Sequence, residues 1–143
     1  YYGQPELTAQ KFGQVGGQPA YKTGDVGYFE DDLLFCKGRI DFQIKWHGYR
    51  IELEDIDANL IKHPLVSQAI TLPKYEGDTV RSLVSFVVYD QVIEQRFQTV
   101  RELKAHLKQT LPDYMIPKKI VFLDSLPLNQ NGKVDRKALG GLL

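Results

Sequence analysis

One stretch in the first half of the chain decides how the rest is organised. Residues 38–53 read GRIDFQIKWHGYRIEL. In this stretch Phe42, Ile44 and Trp46 alternate with polar residues, which is typical of a half-buried strand. Gly48 then interrupts two β-prone runs, as a tight turn requires. The pattern predicts two short strands joined by a glycine turn, and an ordinary hairpin without a functional role would explain it equally well.

The polar segment Gly38–Asp41 marks a predicted boundary between two domains. Before it, the sequence offers a short helix over Pro5–Phe12, a glycine-rich loop over residues 13–19, and two strands around an acidic turn at residues 30–32. These elements have little core of their own. We therefore predict that residues 1–41 are the tail of a larger N-terminal domain and that residues 42–143 form a separate domain.

The second part is predicted to have an α+β fold. After the hairpin the pattern indicates, in order, a helix over residues 53–63, strands over 66–72 and 82–89, a helix that a Thr99–Glu102 capping box opens, a strand over 119–123, a polar turn over 129–133 and a helix over 135–139. This order predicts a β-hairpin and a central, mostly antiparallel three-stranded sheet flanked by helices.

The first of these helices shows which side chains should face the core. Leu53, Ile56 and Leu60 recur at helical spacing and are expected to point inward. The acidic residues of the same helix, including Asp57, are expected on the outer face or in the first turn, where carboxylates suit a helix N-terminus.

The composition indicates a globular protein and excludes several classes. Of 143 residues, 43% are hydrophobic, and 18 basic residues balance 18 acidic ones, so no basic face for a nucleic acid is implied. The one cysteine, Cys36, is predicted to be a small buried side chain in a reducing compartment. The sequence shows neither a signal peptide nor an apolar stretch long enough to cross a bilayer. We expect a cytoplasmic protein without membrane insertion, and the missing initial methionine suggests a fragment.

Three charged residues stand out as candidates for binding, and each has an alternative interpretation. Lys133 follows Asn131-Gly132, so it is either a flexible cation suited to a phosphate or a soluble side chain on a type I′ turn. Asp25 could accept two hydrogen bonds from a ribose diol, or could be a turn aspartate. Arg39 could contact nucleotide oxygens or pair with Asp41. The histidines are too far apart in sequence to predict a metal site.

Five motifs together resemble the adenylate-forming ligase superfamily, which includes acyl-CoA synthetases, luciferase and peptide-synthetase adenylation domains. They occur in that family's order and approximate spacing over almost the whole chain: YKTGD at 21–25, GRIDFQIK at 38–45, GYRIEL at 48–53, LPDYMIP at 111–117 and NGKVDR at 131–136. Any one motif is weak evidence, whereas five in order are specific.

The resemblance implies a role for each matching residue. Asp25 matches the aspartate that holds the ATP ribose hydroxyls, and Arg39 matches an arginine that also contacts the nucleotide. Asp41 matches the hinge about which the C-terminal domain rotates. Lys133 matches the catalytic lysine that reaches carboxylate and phosphate oxygens during adenylation. Gly48 matches the glycine of the loop that lines the path of the phosphopantetheine thiol.

Within the superfamily, the sequence around Gly48 most resembles that of ligases of Gram-positive bacteria that activate D-alanine. This similarity implies ATP and Mg²⁺ as cofactors, with the Mg²⁺ ligands in the absent N-terminal domain. It also implies D-alanine and a D-alanyl carrier protein with phosphopantetheine as partners, in the D-alanylation of teichoic acids. The fragment alone is expected to be inactive. Two alternatives remain: another adenylating enzyme, such as a peptide-synthetase module or an acyl-CoA synthetase, and a non-catalytic α+β binding module.

Overall fold

The chain forms two separate units. A computed structural model describes residues 1–39 and 42–143, and the units span Tyr1–Phe42 and Gln43–Leu143. The predicted hinge residue, Asp41, lies outside the described residues. The assignment of residues 1–41 to a larger parent domain stays a prediction.

The first unit consists of one helix and two hairpins. Its elements are α1 (Pro5–Lys11), β1 (Phe12–Val15), β2 (Gln18–Tyr21), β3 (Asp25–Glu30) and β4 (Leu33–Arg39), with β1 antiparallel to β2 and β3 antiparallel to β4. The predicted loop over residues 13–19 is wrong. Gly16 and Gly17 both have positive φ and form a two-residue turn, which allows the residues on either side to pair as strands.

The apolar side chains of the first unit are largely exposed. Phe29 is 76% exposed and Leu34 is 67% exposed, and the predicted burial of Cys36 is wrong because its side chain is also exposed. A two-stranded hairpin has no second layer to cover its faces. The buried hydrophobic residues of the described chain all lie at or after Ile51.

The second unit is built around a three-stranded sheet. Its elements are β5 (Gln43–Trp46), β6 (Tyr49–Glu52), α2 (Leu53–Ile61), β7 (Val66–Glu76), β8 (Thr79–Tyr89), α3 (Arg96–Leu107), a 3₁₀ turn (Asp113–Met115), β9 (Lys119–Leu123) and α4 (Arg136–Gly140). Strand β8 lies between β7, to which it is antiparallel, and β9, to which it is parallel. The α+β prediction, with a hairpin and a central three-stranded sheet, is confirmed.

Two hydrophobic clusters cover the two faces of the sheet. Leu83 and Val87 of β8 belong to a first cluster with residues of α2 and α3. Val84 and Phe86 belong to a second cluster, which also contains Leu139 of α4. Because side chains alternate along a strand, helices α2 and α3 lie over one face and α4 packs against the other.

Helix α2 shows one confirmed prediction and one that is wrong. Leu53, Ile56 and Leu60 are at most 2% exposed, as predicted, but Asp57 is only 6% exposed instead of facing outward. Position 57 lies four residues after Leu53 and three before Leu60, so the helical period carries it into the apolar stripe. The acidic side chain is therefore buried with the core residues.

Helix α3 begins earlier than its predicted capping box. Its N-cap is Gln95, and the Thr99 hydroxyl lies inside the helix, where it donates to the Gln95 carbonyl at 3.3 Å. Glu102 accepts from Gln98 at 3.0 Å, one turn earlier. The capping-box prediction is wrong because a threonine within a helix can also satisfy its hydroxyl on the carbonyl four residues back.

Candidate functional site

Lys133 lies at the end of a tight polar turn between β9 and α4. Gly132 has φ of +72°, and its N–H donates to the Asn129 carbonyl at 3.0 Å. Leu128 and Val134 pair as an isolated antiparallel bridge on either side of the turn. The Lys133 side chain is exposed. The turn predicted over residues 129–133 is confirmed, and it presents one ammonium group to solvent.

The Asn129 side chain organises this turn from within. Its Oδ1 accepts the backbone N–H groups of Asn131 at 2.9 Å and Lys133 at 3.1 Å. The Asn129 N–H in turn donates to the Lys133 carbonyl at 2.7 Å. Since both main-chain groups of Lys133 are bonded to one residue, the lysine Cα is fixed while its long side chain stays flexible.

Helix α4 ties the turn to the domain on its C-terminal side. Asp135 is the N-cap, and its Oδ1 accepts from the N–H groups of Lys137 at 3.0 Å and Ala138 at 2.9 Å, as capping carboxylates do. Leu139 is fully buried in the second hydrophobic cluster. The segment after Lys133 is therefore anchored by a cap and by an apolar contact.

A buried polar group connects α4 to α2 and to the sheet. The Arg136 Nη2 lies 3.7 Å from Asp57 Oδ2, and the Arg136 Nη1 donates to the Thr71 carbonyl at 3.3 Å. Directly across the sheet from Thr71 is Ser85, and their hydroxyls lie 2.7 Å apart. Among the residues that the structure describes, Asp57 Oδ1 has no hydrogen-bond partner.

Asp57 is consequently an unusual carboxyl group. Burial raises the pKa of the Asp57 carboxyl from 3.8 to about 7, while Thr71 and the Arg136 guanidinium act in the opposite direction. Desolvation disfavours a charged carboxylate more than one partner at 3.7 Å can offset. The charge of Asp57, and with it the attraction between Asp57 and Arg136, therefore changes near neutral pH.

Gly48 occupies the tip of the β5–β6 hairpin. His47 has φ of +49° and Gly48 has φ of +81°, and Trp46 pairs with Tyr49 across the turn. Two consecutive positive φ values are the geometry of a type I′ turn. The predicted pair of short strands with a glycine turn is confirmed.

An aromatic stack fixes this hairpin against the 3₁₀ turn. The rings of Tyr49 and Tyr114 lie 4.0 Å apart between centroids with an interplanar angle of 7°. Tyr49 directly follows Gly48, and Tyr114 lies in the LPDYMIP segment. The stack therefore joins two of the five motifs that the sequence shows at separate positions.

Asp25 and Arg39 are brought to neighbouring strands of the first unit. They are direct partners in the register of β3 and β4. The Asp25 N–H donates to the Thr23 hydroxyl at 3.1 Å, and Gly24 before it has φ of +84°. The two candidate nucleotide-binding residues of this unit are thus adjacent, which their distance of fourteen positions in the sequence does not indicate by itself.

The described part of the chain offers neither a metal cluster nor a membrane segment. Within residues 1–39 and 42–143, no three His, Cys, Asp or Glu side chains come together in a way that could hold a metal ion. None of the described helices has the length and apolar character needed to cross a bilayer.

The comparison with known families identifies the second unit. A family model for the C-terminal domain of AMP-binding enzymes matches residues 55–133, more than half of the chain. The chain belongs to this family. The match includes the whole three-stranded sheet and α3 and ends at Lys133, so these elements are those of an AMP-binding enzyme C-terminal domain.

A curated relative and two solved structures place this AMP-binding C-terminal domain more closely. The D-alanine–D-alanyl carrier protein ligase of Bacillus cytotoxicus is 46% identical over 140 residues, which are 97% of this chain and 28% of that protein. The amide bond synthetase McbA from Marinactinospora thermotolerans has a TM-score of 0.79 at 26% identity, over 100% of this chain and 28% of that one. A four-domain nonribosomal peptide synthetase bound to AMP and glycine has a TM-score of 0.60 at 35% identity, over 96% of this chain and 10% of that one.

One residue and one residue pair of this AMP-binding C-terminal domain were missed as candidates in the sequence. Asn129 could have been found, since an asparagine in a polar turn often accepts the backbone N–H two residues later and so forms an Asx turn. The partnership of Asp57 with Arg136 could not, because the two residues are far apart in sequence and no periodic pattern relates them.

Proposed function

We propose that this chain is the C-terminal part of an ATP-dependent ligase that activates D-alanine. The enzyme would form D-alanyl-adenylate and transfer the D-alanyl group to the phosphopantetheine thiol of a carrier protein, for the D-alanylation of teichoic acids in a cytoplasmic reaction. The observation that supports this most is the 46% identity, over 97% of the chain, to a protein named as such a ligase. The chain spans only about 28% of that relative, so the activity is that of the complete enzyme.

The chemistry of the first step calls for a cation like Lys133. The D-alanine carboxylate attacks the α-phosphorus of ATP, a new acyl–phosphate bond forms, and pyrophosphate leaves. Negative charge builds up on the phosphoryl oxygens in the transition state. An ammonium that reaches those oxygens stabilises the transition state more than the ground state, and the exposed Lys133 on a fixed turn is suited to this role.

The second step calls for a different loop of the same domain. The carrier thiol loses its proton, its sulfur attacks the acyl carbonyl of D-alanyl-adenylate, and AMP leaves with the electron pair of the broken bond. In our proposal the domain turns about Asp41, removes the Lys133 turn and brings in the hairpin with Gly48. Hinge positions are residues between elements whose backbone angles can change.

Nucleotide binding is assigned to the first unit within the same proposal. The Asp25 carboxylate would accept hydrogen bonds from both ribose hydroxyls, and Arg39, its cross-strand partner, would contact nucleotide oxygens. Mg²⁺, when bound with ATP, neutralises phosphate charge, and its ligands are proposed to lie outside this chain.

A substrate panel on the complete enzyme tests the proposed function. D-Alanine should give the highest rate of ATP–pyrophosphate exchange among D-alanine, L-alanine, glycine and a fatty acid, and radiolabelled D-alanine should appear as a thioester on the carrier protein. A preference for any of the other three substrates, or no exchange with any of the four, would contradict the proposal.

A peptide-synthetase module is the second candidate. It is favoured by the 35% identity to a four-domain nonribosomal peptide synthetase. The same panel separates the two, because a module of that kind selects a different amino acid and loads a carrier domain of its own chain. A non-catalytic binding module is the third, and it predicts that substitutions at Lys133 and Asp25 leave every activity unchanged.

A further inference from the structure

We infer that Arg136 and Asp57 are positioning residues for the adenylation step, because they hold the Lys133 turn in register with the body of the domain. The inference rests on the proposed function, in which Lys133 acts in the first step only. Neither residue is proposed to touch a substrate.

The contacts of Arg136 span the sheet from one face to the other. Arg136 follows Lys133 by three residues and belongs to α4, which packs on the second cluster through Leu139. Its guanidinium reaches past the edge strand β7, where it bonds the Thr71 carbonyl at 3.3 Å, to Asp57 on α2 at 3.7 Å. Helix α2 belongs to the first cluster. One side chain thus links the turn to both layers of the domain.

The rest of the Lys133 turn is supported by local hydrogen bonds and by apolar packing of its two ends, through Leu126 and Val134, on the second cluster. The bonds from Asn129 and the bridge between Leu128 and Val134 lie within the turn itself, so they fix its shape but not its position on the domain. Position is supplied by this apolar packing, which is not directional, and by α4, a helix of five residues. A helix of that length has little stability without tertiary contacts. The position of the Lys133 turn therefore depends on the contacts of Arg136.

Stability of the fold alone does not explain why the side chains at positions 57 and 136 are an ion pair. Buried ion pairs contribute little net stability, and Asp57 Oδ1 lacks a hydrogen-bond partner among the described residues. An apolar pair at these positions could support the fold as well. The guanidinium in addition fixes the orientation of α4, since its planar fork bonds two partners at once.

The two half-reactions provide a readout that a structural role would not give. The Lys133 turn and the Gly48 hairpin belong to one domain, so general loosening of that domain should impair both steps. Misplacement of the Lys133 turn alone should impair adenylation and spare thiol transfer from supplied D-alanyl-adenylate. A misplacement of about 1 Å can cost roughly 10²-fold in rate.

The experiment compares Arg136→Met with Arg81→Met in the complete enzyme. Arg81 is a suitable control because it forms a surface ion pair with Glu76 at 3.5 Å, in which both side chains are mostly exposed. Such exposed pairs contribute little to stability. We expect Arg136→Met to lower D-alanine-dependent pyrophosphate exchange by about 10- to 100-fold and to leave thiol transfer nearly unchanged. Arg81→Met should change neither step. An equal loss of both steps in Arg136→Met, or no loss, would overturn the inference.

A second variant keeps the test valid if Arg136→Met does not fold. Asp57→Asn removes the charge and retains the side-chain size. The ratio of exchange rate to transfer rate in the wild type, divided by the same ratio in Asp57→Asn, should fall towards one as the pH decreases through about 7, where Asp57 gains a proton and its attraction for Arg136 is lost. The groups that act on Asp57 are Arg136 from α4, Thr71 from β7 and Glu54 from its own helix. Ionisation of the carrier thiol changes both ratios alike and cancels in this quotient, and a quotient that does not change with pH would overturn the inference.

The reference variant Lys133→Ala separates this inference from the proposed function. If Lys133→Ala leaves exchange intact, the proposed role of Lys133 fails. If Lys133→Ala abolishes exchange while Arg136→Met and Asp57→Asn behave as the wild type does, only the positioning role fails.

Discussion

At the scale of single residues, Asp57 shows how a group can lower stability and still be useful. Its carboxyl is 6% exposed on an otherwise apolar helix face. Ionised, it costs desolvation free energy that one arginine does not fully offset. The same charge is what gives Arg136 a fixed direction, so its cost to stability and its positioning role come from one interaction.

This balance predicts a specific pH dependence of stability. The pKa of Asp57 is higher in the folded state, about 7, than its ordinary value of 3.8, so the folded state binds this proton more tightly. The stabilisation of the folded state by this proton is therefore fully present below pH 4 and is lost as the pH rises through 7. The difference corresponds to roughly 4 kcal/mol at most.

Asp57→Asn should flatten that dependence. We expect the free energy of unfolding of the second unit to fall between pH 5 and pH 8 in the wild type and to change much less in the variant. Urea denaturation followed by fluorescence of Trp46, the one tryptophan of the chain, measures it. Asp55→Asn on the same helix, where the side chain is exposed, is the control. The same slope in wild type and Asp57→Asn would show that Asp57 does not titrate as described.

At the scale of elements, the β5–β6 hairpin and the 3₁₀ turn act as one piece through the Tyr49–Tyr114 stack. Because this stack lies next to Gly48, Tyr114→Ala should loosen the hairpin tip and slow thiol transfer by up to about tenfold, since an aromatic pair contributes about 0.5–1.5 kcal/mol. Pyrophosphate exchange should be largely spared. Tyr114→Phe, which keeps the ring, should behave as the wild type in both assays. A loss confined to exchange would contradict this assignment.

Periodicity predicts most of these elements, and its failures have local causes. Strand β9 agrees with its predicted bounds, and α2 and the Gly48 turn were predicted because apolar spacing and glycine act over a few residues. The start of α3 was missed, since Thr99 can bond within a helix as well as cap one. The sheet strands β7 and β8 extend beyond prediction to Glu76 and from Thr79, where cross-strand pairing overrides a polar sequence.

The candidate site shows the same limit more strongly. Motifs indicate Asp25, Arg39, Gly48 and Lys133 from the order of residues alone. The contact between Asp57 and Arg136, by contrast, joins positions 79 residues apart. A single sequence carries no signal for such a pair, so only the folded structure reveals it.

At the scale of the whole molecule, the chain covers about 28% of a relative with the proposed activity. We therefore expect residues 1–143 alone to show no D-alanine-dependent pyrophosphate exchange above a blank without enzyme. The amino acid pocket and the rest of the nucleotide site are proposed to lie elsewhere in the complete enzyme. Exchange well above the blank from the purified chain would contradict this expectation.

The proposed mechanism requires that one domain brings an ammonium to the phosphoryl group in the first step and takes it away for the second. In the complete enzyme, Lys133→Ala tests it against Lys137→Ala, a neighbouring exposed lysine of α4 whose backbone cap does not depend on its side chain. The decisive measurement is the rate of each half-reaction, with pyrophosphate exchange for the first and thioester formation from supplied D-alanyl-adenylate for the second. We predict that Lys133→Ala abolishes exchange and largely spares thioester formation, while Lys137→Ala changes neither; equal loss of both steps in Lys133→Ala would contradict this mechanism.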